Sequence, residues 1–136
     1  MKARRKKGFT MAELLIVVAI VGVLVAISIP IFTSQLKKAR LATNQANARS
    51  AHAALVAELL TAKDATGSGS DTYTVSTAKL GGTVGTASAG EITTDPSTWD
   101  ETTAGTTDTT SLGDKVATTW YVSIDSSGAV TYTPGF

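Results

Sequence analysis

The alternation of apolar and polar positions changes character three times along the chain. From Leu14 to Leu36 no residue is charged, a run of 23 positions, and Leu14 to Ile27 holds only aliphatic side chains, alanine and Gly22. At ~1.5 Å rise per residue such a run makes a helix of ~30 Å, about the hydrocarbon thickness of a bilayer. Past Pro30 the pattern turns amphipathic. Phe32, Leu36, Ala39, Ala42, Ala46, Ala53, Val56 and Leu60 recur mostly at steps of three or four, which predicts a helix with one apolar side. Lys37, Lys38, Arg40 and Arg49 fall elsewhere on it and read as a solvated face. Thr10 to Lys63 is thus expected to form one nearly continuous helix of ~80 Å.

The remaining residues predict a small sheet. Between Asp64 and Asp114, glycine, serine and threonine fill 29 of 51 positions against seven large apolar side chains, a composition that favours loops and short edge strands. Within it DTYTVSTA, from Asp71, alternates well enough for one strand, with Tyr73 and Val75 on one face. The final residues give a stronger signal. KVATTWYVSI, Lys115 to Ile124, and AVTYT, Ala129 to Thr133, flank DSSG, which reads as a hairpin with Gly128 available for positive φ. The expected class is α+β: a long N-terminal helix packed against a small antiparallel sheet, with the hairpin across its amphipathic half.

Charge and composition narrow the function classes. The formal net charge is +1, but Lys2, Arg4, Arg5, Lys6 and Lys7 crowd the first seven positions, and the rest of the chain holds seven basic against eleven acidic side chains. That balance argues against a nucleic-acid-binding head. A basic cluster beside an apolar span instead holds that end on the cytoplasmic side. Without cysteine there is neither a disulfide nor a thiolate metal site. His52 has no second histidine to share a metal with and reads as a surface or partly packed side chain. Glu91 to Asp108 holds further carboxylates at Asp95, Asp100, Glu101 and Asp108, but their spacing lacks an EF-hand frame and reads as a solvated loop. No nucleophile with a base, metal triad or phosphate loop is present, so an enzyme is not expected and no cofactor is implied.

A secretory signal and a plain single-pass anchor both begin with basic residues followed by an apolar run. The run here exceeds the usual ~7–15 residue apolar core of a signal peptide and no small-x-small cleavage site with a polar start follows it. Neither alternative accounts for the order at the junction: basic cluster, Gly8, Phe9, Thr10, then Glu13 at the edge of the apolar run. That order resembles the class III signal of type IV prepilins, over residues 1 to about 60 and most specifically over Gly8 to Pro30. Met11 and Ala12 stand where the family more often has leucine, and valine or leucine, respectively.

The resemblance implies a leader, residues 1–8, removed by a prepilin peptidase between Gly8 and Phe9, with N-methylation of Phe9. It implies a hydrophobic membrane and assembly helix over 9–35. A soluble head would follow over 36–136, made of an amphipathic helix 36–63, a loop region 64–114 and a hairpin 115–133. Glu13 matches the family's assembly glutamate, and Gly22 and Pro30 its helix-weakening positions. A carboxylate in hydrocarbon costs ~2.5–3.5 kcal/mol or more, so Glu13 calls for a cationic partner, and cleavage would create one in the α-amine of Phe9 on a neighbouring copy. The implied partners are further copies in a helical filament, the peptidase, an assembly platform with its ATPase, and the cytoplasmic membrane before assembly. The implied role is a pilus subunit serving adhesion, motility or DNA uptake. The alternatives are a pseudopilin of a type II secretion or competence machine and a membrane-anchored binding protein that never polymerises.

Overall fold

A computed structural model of the chain describes residues 8–61, 68–81, 91–104 and 110–136. The chain divides into two compact units, Met1–Gln35 and Leu36–Phe136. Helix α1 runs Met11–Thr61 with Pro30 inside it. Four strands follow: β1 Gly69–Thr74, β2 Lys79–Leu80, β3 Thr119–Ile124 and β4 Val130–Gly135, joined antiparallel in the order β2-β1-β3-β4. The architecture is α+β, one long helix and a small antiparallel sheet.

In the first unit the helix is exposed on every side. Leu15 is 67 % exposed, Val18 62 % and Phe32 70 %, as befits a segment whose cover is not supplied by its own chain. The helix hydroxyls satisfy themselves. Ser28 Oγ donates to the Leu24 carbonyl at 2.6 Å and Thr33 Oγ1 to the Ile29 carbonyl at 3.0 Å, so neither brings an unpaired polar group to an apolar surround.

The second unit is built around two tryptophans. Trp99 stacks on Trp120 with ring centroids 5.6 Å apart, and Tyr132 meets Trp99 edge-on at 5.5 Å. Leu112, Ala117 and Val122 complete the floor, and Ala48, Ala51 and Leu55 of α1 lie against it. The buried face of α1 is Asn44, Ala48, Ala51 and Leu55, spaced by three and four residues. This corrects the predicted face: Ala39, Ala42, Ala46 and Ala53 are exposed, as is Leu60, on the side away from the sheet. Alanine is too small to decide which side of a helix is buried. The face is set by Leu55 and by Asn44, whose side chain reaches three backbone groups. Asn44 Nδ2 donates to the carbonyls of Leu112 (2.9 Å) and Lys115 (2.8 Å), and Oδ1 accepts from the Ala117 amide (2.9 Å).

The strands depart from expectation at their ends. β1 starts two residues earlier than predicted and stops at Thr74. Val75 to Ala78 form a turn, with Ala78 at a φ of 52°, which leads into β2. Gly69 lets the end of the Leu59 side chain lie close against β1, since a Cβ there would stand 2.6 Å from Leu59 Cδ2. β3 begins only at Thr119 because Lys115 and Ala117 are bonded to Asn44 instead of to a strand. β4 continues through Pro134, tolerated because β4 is an edge strand. The connecting turn matches the expectation, with Gly128 at a φ of 85°. Part of the loop read as solvated is core. Ile92 pairs with Tyr132 through both backbone bonds, at 2.7 and 2.9 Å, and Trp99 is buried.

Candidate processing and assembly segment

Thr10 and Glu13 define how α1 begins. Glu13 Oε2 accepts from the Thr10 amide at 3.0 Å, and Thr10 Oγ1 accepts from the Glu13 amide at 3.3 Å. This reciprocal pair is a capping box, which satisfies two donors that a helix start leaves without partners. The signal was present in the sequence as Thr-x-x-Glu before an apolar run. The carboxylate also lies in the first turn, where the helix dipole favours an anion.

Phe9 is 93 % exposed, and no heavy atom lies within 4 Å of a Cβ built on Gly8 or on Gly22. Among the described residues, nothing packs where a side chain at 22 would stand. Phe9, Glu13, Leu14, Ile16 and Val17 line an open apolar hollow, with Glu13 its one charged wall among the described residues. Pro30 removes the amide that would bond to the Ala26 carbonyl, yet α1 passes through it without a break.

Among the described residues no three histidine, cysteine or acidic side chains gather closely enough to hold a metal ion. Asp95, Asp100 and Asp125 instead fold their own turns. Each accepts from the amide two residues on, at 2.7 to 2.8 Å, and from that residue's hydroxyl. Their carboxyls are held below the ordinary aspartate range mainly by these hydroxyl and amide donors. Asp108 lies outside the described residues. His52 is half-buried, its Nδ1 3.4 Å from the Tyr132 hydroxyl, a partly packed residue on the seam between α1 and the sheet.

Together, the described residues make a capped apolar helix, long and apolar enough to cross a membrane, and an α+β head. Residues 3–29 match the family described as "Prokaryotic N-terminal methylation motif". That motif resembles the N-terminal segment of type IV prepilins, and the match does not extend into the second unit. The chain is 46 % identical over 37 residues to the fimbrial protein EcpB of Eikenella corrodens, covering 27 % of this chain and 23 % of that protein. It is 48 % identical over 52 residues to the type IV narrow pilus major component PilA5 of Thermus thermophilus, covering 36 % of this chain and 45 % of that one. The chain thus matches less than half the length of either relative. No solved structure matches it.

Proposed function

We propose that the chain is a structural subunit of a type IV pilus, made as a membrane-anchored precursor and assembled into an extracellular filament through α1. The observation that carries this reading is the methylation motif set directly before an apolar helix that its own chain leaves uncovered. So much exposed apolar surface must be covered, first by lipid and then by copies of the same helix. The names of the two relatives, a fimbrial protein and a pilus component, support the same reading.

In this proposal a peptidase cuts between Gly8 and Phe9, Phe9 is N-methylated, and its amine pairs with Glu13 of an adjacent copy. Gly22, with its low helix propensity, and Pro30, with its missing amide, let Val23 to Ile29 unwind when copies pack. The test is mass spectrometry of the protein recovered from its native cells, with electron microscopy of sheared surface material. The expected result is an N-terminus at Phe9 carrying one extra methyl group, in filaments. A chain that keeps Lys2 to Lys7, or is absent from filaments, overturns the proposal.

A further inference from the structure

The head carries its positive charge at one end. Leu59 meets Gly69, the first residue of β1, so α1 and β3 both run from the end where the chain enters at Leu36 toward the opposite end. At the entry end Lys37 Nζ lies 3.4 Å from Asp114 Oδ1, and Arg40 donates to the Asp114 carbonyl at 2.9 Å. Lys115 follows, tied by its carbonyl to Asn44. Thr118 bonds to Gly135, which brings the C-terminal Phe136 to the same end, and Lys79 reaches it through the β1–β2 pairing of Thr74 with Lys79. Of six basic side chains among the described residues of this unit, Lys37, Lys38, Arg40, Lys79 and Lys115 stand here, and Arg49 does not. Among the described residues Asp114 and, behind it, the adjacent Asp100 and Glu101 are the acids of this end, whereas Glu58, Asp71 and Asp125 lie toward the other. Apolar groups sit among the cations: Leu36, Val116 and Phe136 are each 37 to 39 % exposed.

We propose that this basic and apolar collar docks the base of the head on the surface of an anionic phospholipid bilayer before assembly. The inference rests on the reading of Leu14 to Leu36 as a membrane span. Lys37, Lys38 and Arg40 follow that span within four residues, so even an extended chain keeps them within ~14 Å of its end, at headgroup depth. Lysines and arginines at that depth are attracted by anionic lipid, and an exposed phenylalanine beside them partitions into the same interface. Topology does not explain these cations, since a span is oriented by the basic cluster on its cytoplasmic side, here the leader. Position selects lipid over a second head: the collar begins at the residue where the span ends, whereas the acids outside it, such as Glu58 on α1, Asp71 on β1 and Asp125 in the far turn, are scattered over separate elements.

The chain has no cysteine, so single reporters are clean: Ser76→Cys at the base and Ser126→Cys at the far turn, each exposed, in the full chain reconstituted into vesicles. A fluorophore on each is quenched by headgroup-labelled lipid. With one-third phosphatidylglycerol, quenching at Ser76→Cys should exceed that at Ser126→Cys several-fold, and fall toward it in pure phosphatidylcholine or at high salt. Lys38→Gln and Lys115→Gln should each weaken docking about fivefold at low salt. Flotation with the vesicles reports the span separately. A chain that floats but whose base reporter ignores lipid charge, salt and both substitutions overturns the docking and leaves the span intact. Failure to float overturns both.

Discussion

Asn44 is the residue on which the head most depends, and its removal should be severe. Replacing it with alanine deletes three hydrogen bonds and leaves the Leu112 carbonyl and the Ala117 amide buried without partners, while the Lys115 carbonyl lies nearer solvent. An orphaned buried backbone group costs about 1–3 kcal/mol, so the two buried groups and the weaker third together give a loss of about 3 kcal/mol. That is a large share of the ~5–15 kcal/mol typical of a domain. The assay is urea unfolding of the full chain in micelles, followed by fluorescence of the buried Trp120 and Trp99. Asn44→Asp adds a pH signature. Its carboxylate would still accept from Ala117 but would face two carbonyls, so burial and repulsion raise its folded pKa above the unfolded ~3.9. A group so raised favours the fold below the unfolded pKa and loses that contribution as pH rises through the folded one. The aspartate variant should therefore regain stability, relative to the native chain, as pH falls. A loss under 1 kcal/mol in Asn44→Ala, with no such recovery in Asn44→Asp, would refute the claim that this side chain holds the loop.

Three further outcomes follow from the geometry. The native head should lose stability as pH falls below ~4, because Asp95, Asp100, Asp114 and Asp125 all have lowered pKa values, so their contribution is present above the unfolded pKa and lost on protonation. Thermal melts against pH check this, and Asp125→Asn should flatten the acid limb. Gly22→Ala meets no neighbouring atom and should strengthen the isolated helix by up to about 1 kcal/mol, read as slower amide exchange over residues 20–29 in micelles. Gly69→Ala must displace the end of the flexible Leu59 side chain and should cost about 1–2 kcal/mol in the urea assay.

What the sequence disclosed depended on how strongly each segment had to satisfy one physical demand. The apolar run was legible because a membrane-length stretch without charge has few other uses, and the hairpin because Trp120, Val122 and Gly128 agree on one register. The helix face was misread because its exposed side is mostly alanine, while its buried side opens on a polar residue, Asn44, whose worth lies in contacts 68 to 73 residues away. Periodicity carries no information about such contacts. The loop tryptophan Trp99 was hidden for a related reason. Its surroundings are threonine and aspartate because they build the turn that aims it inward, with Asp95 capping the short 3-10 helix Pro96–Thr98 and Thr94 accepting from the indole N–H.

The capping box alters the reading of Glu13 most, since it gives the carboxylate a partner inside its own chain. Capping and pairing with a neighbour's amine do not compete for the same atom. The Thr10 amide takes Oε2, and an ionised carboxylate offers about four acceptor positions over its two oxygens. Removal of residues 1–8 would leave both members of the box in place, because Thr10 and Glu13 lie beyond the cut. Two substitutions therefore separate the roles. Glutamine can close a capping box but carries no charge, so Glu13→Gln keeps the helix start and removes the ion pair. Thr10→Ala keeps the charge and removes the hydroxyl that caps the Glu13 amide, at a cost of about 1 kcal/mol. If charge pairing registers the copies, Thr10→Ala should assemble and Glu13→Gln should not, with both precursors inserting and being cut alike. Filaments of normal yield from Glu13→Gln would reduce Glu13 to a helix cap, and the register would have to come from the packing of the uncovered aliphatic side chains alone.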